Sequence, residues 1–186
     1  MVQWRNTSQS FGWIHIVLHW LMAVVVVGLF ALGLYMVDLD YFDPWYHRAP
    51  AVHKSIAILL ALVFIGRVIW RQYNPTPNNL ARFPWQRRAA SSVHFLLYCL
   101  LLLTFCSGYF MSTAANQSVS VFGWFSIPAL GVTIPNQADI AGKFHYYTAW
   151  TLITLATGHG LLALKHHFLD RDNTLKRMLK PLFLTQ

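Results

Sequence analysis

The chain has 186 residues, of which 56% are hydrophobic and only 11% charged, and its formal net charge is +8. Water-facing domains carry about 25% charged residues, so this composition excludes a soluble globule. All six acids are aspartate, and two cysteines, Cys99 and Cys106, sit seven residues apart. At about 1.5 Å rise per residue their backbones would be about 10 Å apart on a helix, too far for a disulfide.

Four apolar runs follow in chain order, at about residues 14–37, 52–70, 93–111 and 145–164. Each approaches the roughly 20 residues that cross a hydrocarbon core as a helix. The first is too long for the apolar part of a signal peptide, about 7–15 residues, and Asp38-Leu39-Asp40 follows it instead of a cleavage site, so it reads as a retained helix. The first connection is short and acidic (Asp38, Asp40, Asp43), and Pro44 and Pro50 are expected to break helix there. The second carries Asn74-Pro75-Thr76-Pro77, a turn-rich segment, and the Arg87-Arg88 pair. The third is the longest. With Phe122-Gly123-Trp124-Phe125 and Pro128 it is apolar enough to fold back over the mouth of a bundle. After Lys165 comes a basic tail, 166–186, that reads as an interfacial amphipathic helix. The expected fold is all-α: one transmembrane domain over 1–186, a bundle of four membrane-spanning helices.

The distribution of charge gives the basicity its meaning. Eleven of the fourteen Lys and Arg residues fall on the N-terminal tail, the second connection and the C-terminal tail, while Arg48, Lys54 and Lys143 fall on the opposite side beside Asp38, Asp40, Asp43 and Asp139. The positive-inside rule then puts both termini in the cytoplasm. The charge reports orientation in lipid, and nucleic acid is not an expected partner.

Nine histidines in so apolar a chain are the chemical signal. An ionisable residue inside a span is costly and marks function by default. With the N-terminus inside, His19 on the first span lies about 8 Å from its cytoplasmic end, and His159 on the fourth lies about 9 Å from its own, so the two are level. His53 and His145 each open a span at the outer side and are level too. His145 and His159, fourteen residues apart, share a helix face and are separated by about 21 Å along the axis, room for two macrocycles. Arg67 lies fourteen residues after His53, on that histidine's face and at the inner depth, where it needs an anion such as a haem propionate. His15, one turn from His19, is an alternative inner ligand, and His94 is a polar partner at the inner site. Zinc would need three or four ligands about one point, which two separate pairs do not provide. No Cys-x-x-Cys-His occurs, so covalent haem attachment is excluded.

At Leu18-His19-Trp20, Val52-His53-Lys54-Ser55-Ile56, Gly66-Arg67-Val68, Asn74-Pro75-Thr76-Pro77, His145, Gly158-His159-Gly160, Lys165-His166-His167-Phe168 and Asp172-Asn173-Thr174-Leu175-Lys176-Arg177-Met178, the sequence resembles the bacterial cytochrome b561 family over nearly its whole length. The resemblance implies two b haems per chain, between the helices. The axial pairs it implies are His19 with His159 and His53 with His145, with Arg67 and Arg71 also on the cofactor. It further implies electron transfer in either of two settings. One family member passes electrons from periplasmic superoxide to ubiquinone, and the same fold elsewhere serves as a cytochrome b subunit that takes electrons from a partner redox protein. For superoxide, an anion, Lys54, Lys143 and Arg48 would supply positive charge at the outer mouth, weakened by Asp38, Asp40 and Asp43. For a quinone, His166, His94 and Arg71 would supply polar groups at the cytoplasmic side. A transporter or structural membrane protein without cofactor is the remaining class.

Overall fold

The computed structural model describes residues 2–78, 80, 83–131 and 134–181. Arg82, counted above for orientation, and the last tail residues, 182–186, lie outside the described residues. The order of elements is α1 (Trp13–Val37), α2 (Arg48–Tyr73), α3 (Pro84–Ser112), β1 (Val119–Val121), β2 (Phe125–Ile127), α4 (Gln137–Phe168) and α5 (Thr174–Leu179). Each expected span lies inside one of α1 to α4.

By length and composition, α1, α2 and α3 are able to cross a membrane. On α1, Val17, Val24, Val27 and Leu34 remain exposed, a surface that suits hydrocarbon and not water. α4 is the longest helix described, with 32 residues, and Tyr, Thr, Gly and His interleave with its apolar residues.

Helix boundaries have local causes. Pro50 sits in the first turn of α2, where the missing N–H would have no intrahelical partner, so it begins that helix instead of breaking one. α3 starts well before its apolar run. Pro84 takes the first helical position, and the Gln86 side chain accepts the Phe83 N–H at 3.2 Å, the reciprocal half of a capping box. α4 runs on through His166 and His167, so of the expected amphipathic tail only the six residues of α5 form a further helix among the described residues.

The chain departs from an all-α fold at one place. β1 and β2 pair antiparallel, with Val119 opposite Ile127 and Val121 opposite Phe125. Valine alternates with serine in β1 so that Val119 and Val121 are buried while Ser120 is exposed, the period-2 pattern of a half-buried strand. Phe122 and Gly123 take positive φ (48° and 75°) to close the turn, and at Gly123 the lack of a Cβ makes that conformation inexpensive.

The fold divides into two compact units. The first comprises Met1–Val24, Val63–Leu96 and Thr154–Gln186. In it the N-terminal segment, the turn after α2 and α5 are tied together by polar contacts. Asn6 donates to the Pro75 carbonyl at 3.0 Å and accepts the Gly12 N–H at 2.9 Å, and the Asn78 N–H meets the Ser8 carbonyl at 2.7 Å. A Cβ on Gly12 would run into the carbonyls of Trp4 and Arg5, so glycine is required there. Arg177 is buried and donates to the carbonyls of Asn78 and Gln9.

The second unit comprises Val25–Leu62 and Leu97–Ile153. Here the β hairpin docks on α2 through Ser55, whose hydroxyl donates to the Ala51 carbonyl at 2.8 Å and accepts the Phe122 N–H at 3.1 Å. The long third connection thus does fold back, held by the buried hydroxyl of Ser55, two residues beyond His53, and by Tyr109, whose hydroxyl donates to the Pro128 carbonyl at 2.7 Å.

Candidate functional site

Each unit holds one facing pair of histidines. In the second unit the rings of His53, from α2, and His145, from α4, have centroids 6.4 Å apart and planes inclined at 75°. In the first unit His19, from α1, and His159, from α4, repeat this arrangement at 6.4 Å and 76°. An imidazole nitrogen bonds a first-row metal such as zinc at about 2.0–2.1 Å, and a five-membered ring of about 1.33 Å bonds puts its nitrogen roughly 1.1 Å from the centroid. Two imidazoles in trans on one ion therefore have centroids about 6.3 Å apart. Both pairs match that spacing. Among the described residues there is no group of three or more His, Cys, Asp or Glu placed to hold an ion.

Hydrogen bonds decide which ring nitrogen is available in the second unit. His145 Nδ1 lies 3.0 Å from the Thr104 carbonyl and 3.3 Å from the Ser107 hydroxyl. A carbonyl only accepts, so Nδ1 carries the proton and Nε2 keeps its lone pair, the state a metal-ligating histidine needs. His53 Nδ1 is buried with no hydrogen-bond partner among the described residues. Two glycines make space for these rings. A Cβ on Gly108 would lie 3.1 Å from His145 Cε1, and one on Gly33 would lie 3.7 Å from His53 Cε1.

The first unit is more crowded. The His94 ring lies 5.1 Å from that of His159, nearer than His19 but too near to be its trans partner on one ion. His15 stacks on Phe11 at 4.4 Å and 13°, and the ring that faces His159 at ligand spacing is that of His19. Arg67 Nη2 lies 3.1 Å from His19 Nδ1, and Nη1 lies 3.8 Å from the Met22 sulfur. A guanidinium can only donate, so His19 Nδ1 accepts, and a neutral ring then carries its proton on Nε2. That contact and ligation through Nε2 exclude each other. Ligation by His19 through Nε2 would require Arg67 to turn away from Nδ1. Arg71 lies close enough to His15 and His94 for its charge to act on both.

Of the expected substrate residues, Lys54 is half-buried and Lys143 exposed, and neither pairs with a carboxylate among the described residues. Lys143 borders an apolar groove of about 700 Å3 along α3 and α4, whose lining includes Ser107, the hydroxyl beside His145. His166 joins a local ion cluster at the end of α4: its Nδ1 lies 2.7 Å from Asp170 and 3.5 Å from Asp172. Lys165 reaches Asp170 at 2.7 Å, and its hydrogen bond holds the Asp170 carboxyl below the ordinary range of an aspartate.

The sequence profile described as prokaryotic cytochrome b561 matches residues 10–181. The chain belongs to the prokaryotic cytochrome b561 family. It is similar to cytochrome b561 homolog 2 of Escherichia coli (strain K12), with 49% identity over 96% of this chain and 95% of that protein. Cytochrome b561 homolog 1 of the same strain is 27% identical over 91% of this chain and 96% of its own length. A probable superoxide oxidase, CybB, of Yersinia pestis is 24% identical over 92% of this chain and 96% of its own. Membership in the cytochrome b561 family implies haem b, electron transfer in a membrane and a bacterial membrane location.

Sequence reasoning missed Thr104, Ser107 and Gly108, which seat His145. Gly108 carried a weak signal. Glycine inside a helix costs roughly 1 kcal/mol against alanine, so an isolated one in an apolar run hints at close approach. Gly108→Val is expected to push the His145 ring off its position and to lower haem content if this pair holds a haem, with Gly108→Ala intermediate. Haem-to-protein ratio checks this by pyridine haemochrome assay, and full haem content in Gly108→Val would show that the ring does not need the space.

Proposed function

We propose that the chain is a transmembrane electron carrier with two b haems, one on His53 and His145 and one on His19 and His159, with α4 as the fourth membrane span and both termini in the cytoplasm. The observation that carries this reading is the repeated 6.4 Å ring spacing, together with the His145 Nδ1 proton held by Thr104. Haem b supplies reversible one-electron chemistry, with a potential set by its surroundings. The chain's own residues do the rest. Thr104 fixes the His145 tautomer. Arg67 exchanges the His19 nitrogen for a propionate carboxylate, a charge-assisted partner it prefers.

The proposed donor is superoxide at the periplasmic face and the proposed acceptor is ubiquinone. Two superoxide ions each give up one electron and leave as dioxygen, and one quinone takes those two electrons with two protons to become quinol. Lys54 and Lys143 draw the anion to the His53–His145 end. On the other side the candidates are His94, Arg71 and His166, whose second ring nitrogen remains for a quinone oxygen while Asp170 holds the first.

A second reading has one specific observation in its favour. The 49% identical relative is named only as a cytochrome b561 homolog, and the superoxide oxidase name belongs to a relative at 24%. In that reading the same haems take electrons from a periplasmic redox protein. Right-side-out and inverted vesicles holding the protein and ubiquinone separate the two. Superoxide generated outside should reduce the haems, and then the quinone, in right-side-out vesicles only. Haems left oxidised in both orientations would remove superoxide as donor and leave the protein-donor reading.

A further inference from the structure

We propose that the C-terminal helix α5 is a positioning element for the His19 ring, acting through Trp20; this rests on the reading of His19 as a haem ligand. Three contacts form the link. The Trp20 ring meets the His19 ring edge-on, with centroids 5.4 Å apart and planes at 73°. The indole Nε1–H donates to the Met178 carbonyl of α5 at 2.6 Å. The neighbouring Arg177 is buried, and its guanidinium donates to the carbonyls of Asn78 and Gln9.

The logic runs from the tail inward. A six-residue helix has no stability of its own, because forming the first turn costs more than so few hydrogen bonds return. Arg177 therefore decides where α5 sits. Its two acceptors belong to the N-terminal segment and to the turn after α2, so it closes three separate stretches of chain on one guanidinium. Fixing Arg177 fixes the Met178 carbonyl beside it. That carbonyl fixes the rotation of the indole, and the indole forms a wall against which the His19 ring must stand. The orientation of an axial imidazole and the contacts outside it tune the potential of the iron it holds. A segment far from His19 in sequence thereby sets a property of the haem there without touching it.

The test uses the full-length holoprotein in lipid nanodiscs and a potentiometric titration that resolves the two haems, assigned by which one His19→Ala removes. Trp20→Phe keeps the ring and deletes only the donor. Arg177→Gln deletes the clamp and leaves Trp20 intact. Each should shift the reduction equilibrium of the His19 haem by two- to tenfold, at most about 59 mV for one electron, and change its low-spin spectrum, while the other haem keeps its potential. The double variant should shift it no further than Arg177→Gln alone, because both act through one route. Arg177→Lys, which restores a cation and part of the hydrogen bonding, should recover part of the shift. Unchanged potentials in Trp20→Phe, or equal shifts of both haems, would overturn the proposal. If Trp20→Phe does not accumulate, Arg177→Gln decides by the same criterion. The two readings fail differently. Both haems surviving in His19→Ala would remove the ligand assignment. One haem lost there, with Trp20→Phe silent, would remove the coupling alone.

Discussion

His159→Ala is expected to take the haem content from about two per chain to about one, leaving a single low-spin bis-histidine haem in the redox difference spectrum. The variant deletes one ring of a pair whose centroids lie 6.4 Å apart, the spacing expected of two imidazoles on one ion. His19→Ala should give the same spectrum. His53 and His145 belong to the other compact unit, where His145 keeps its contacts to Thr104 and Ser107, so the second haem should be retained with its potential little changed. Arg67→Leu should behave differently, keeping both haems and shifting one potential, since it takes away a propionate partner and not a ligand. Equal loss of both haems from His159→Ala in a protein that still folds, judged by circular dichroism, would break the pairing.

These pairs were legible in the sequence because depth in a membrane is nearly one-dimensional. His19 and His159 could be matched by counting helix rise from the cytoplasmic end, and the structure opposes those two rings. The ring of His15, one turn away, stacks on Phe11 instead. What counting could not supply was partners across helices. Arg67 was placed at the right depth, yet its contact with His19 Nδ1 depends on how α1 and α2 pack. Thr104 and Gly108 look like filler in an apolar run until α4 is laid against α3. Arg177 was read as one more charge on an interfacial helix. It is buried because two backbone carbonyls remote in sequence converge on it, and no local pattern encodes that. The β hairpin was hidden for a related reason: two three-residue strands are too short to stand out, and Ser55 is what holds them.

The second large effect concerns encounter. If superoxide is the donor, replacing both Lys54 and Lys143 by Gln is expected to slow haem reduction by roughly tenfold at low salt, since local positive potential raises the encounter rate of an anion by about 10- to 1000-fold. Lys143 is exposed, and neither lysine spends its charge on a carboxylate among the described residues. The wild-type rate should fall as salt rises, because the Debye length shrinks from about 10 Å at 0.1 M to about 3 Å at 1 M. In the double variant that dependence should flatten, with haem content unchanged. Stopped-flow absorbance at the haem bands measures both. A wild-type rate indifferent to salt, or a double variant as fast as wild type, would assign the lysines to lipid headgroups. His166→Ala is the companion arm: it should slow reoxidation by quinone and leave the reduction step alone.

The clamp made by Arg177 also has a consequence for the order in which the protein is assembled. Its acceptor on Gln9 lies 168 residues away, about as long a closure as this chain permits. The segments of the second unit are all synthesised once Ile153 has left the ribosome, so the His53–His145 pair and its surroundings are available to close early. The first unit has to wait. Its N-terminal segment can meet the turn after α2 through Asn6 and Asn78, but the guanidinium that ties both to α5 comes only when Arg177 emerges. Contacts of such long range are slow to form, because the intervening chain must first be brought to order. A ribosome that stalls or terminates just short of Arg177 would release a chain with every histidine in place and no means of fastening its two ends.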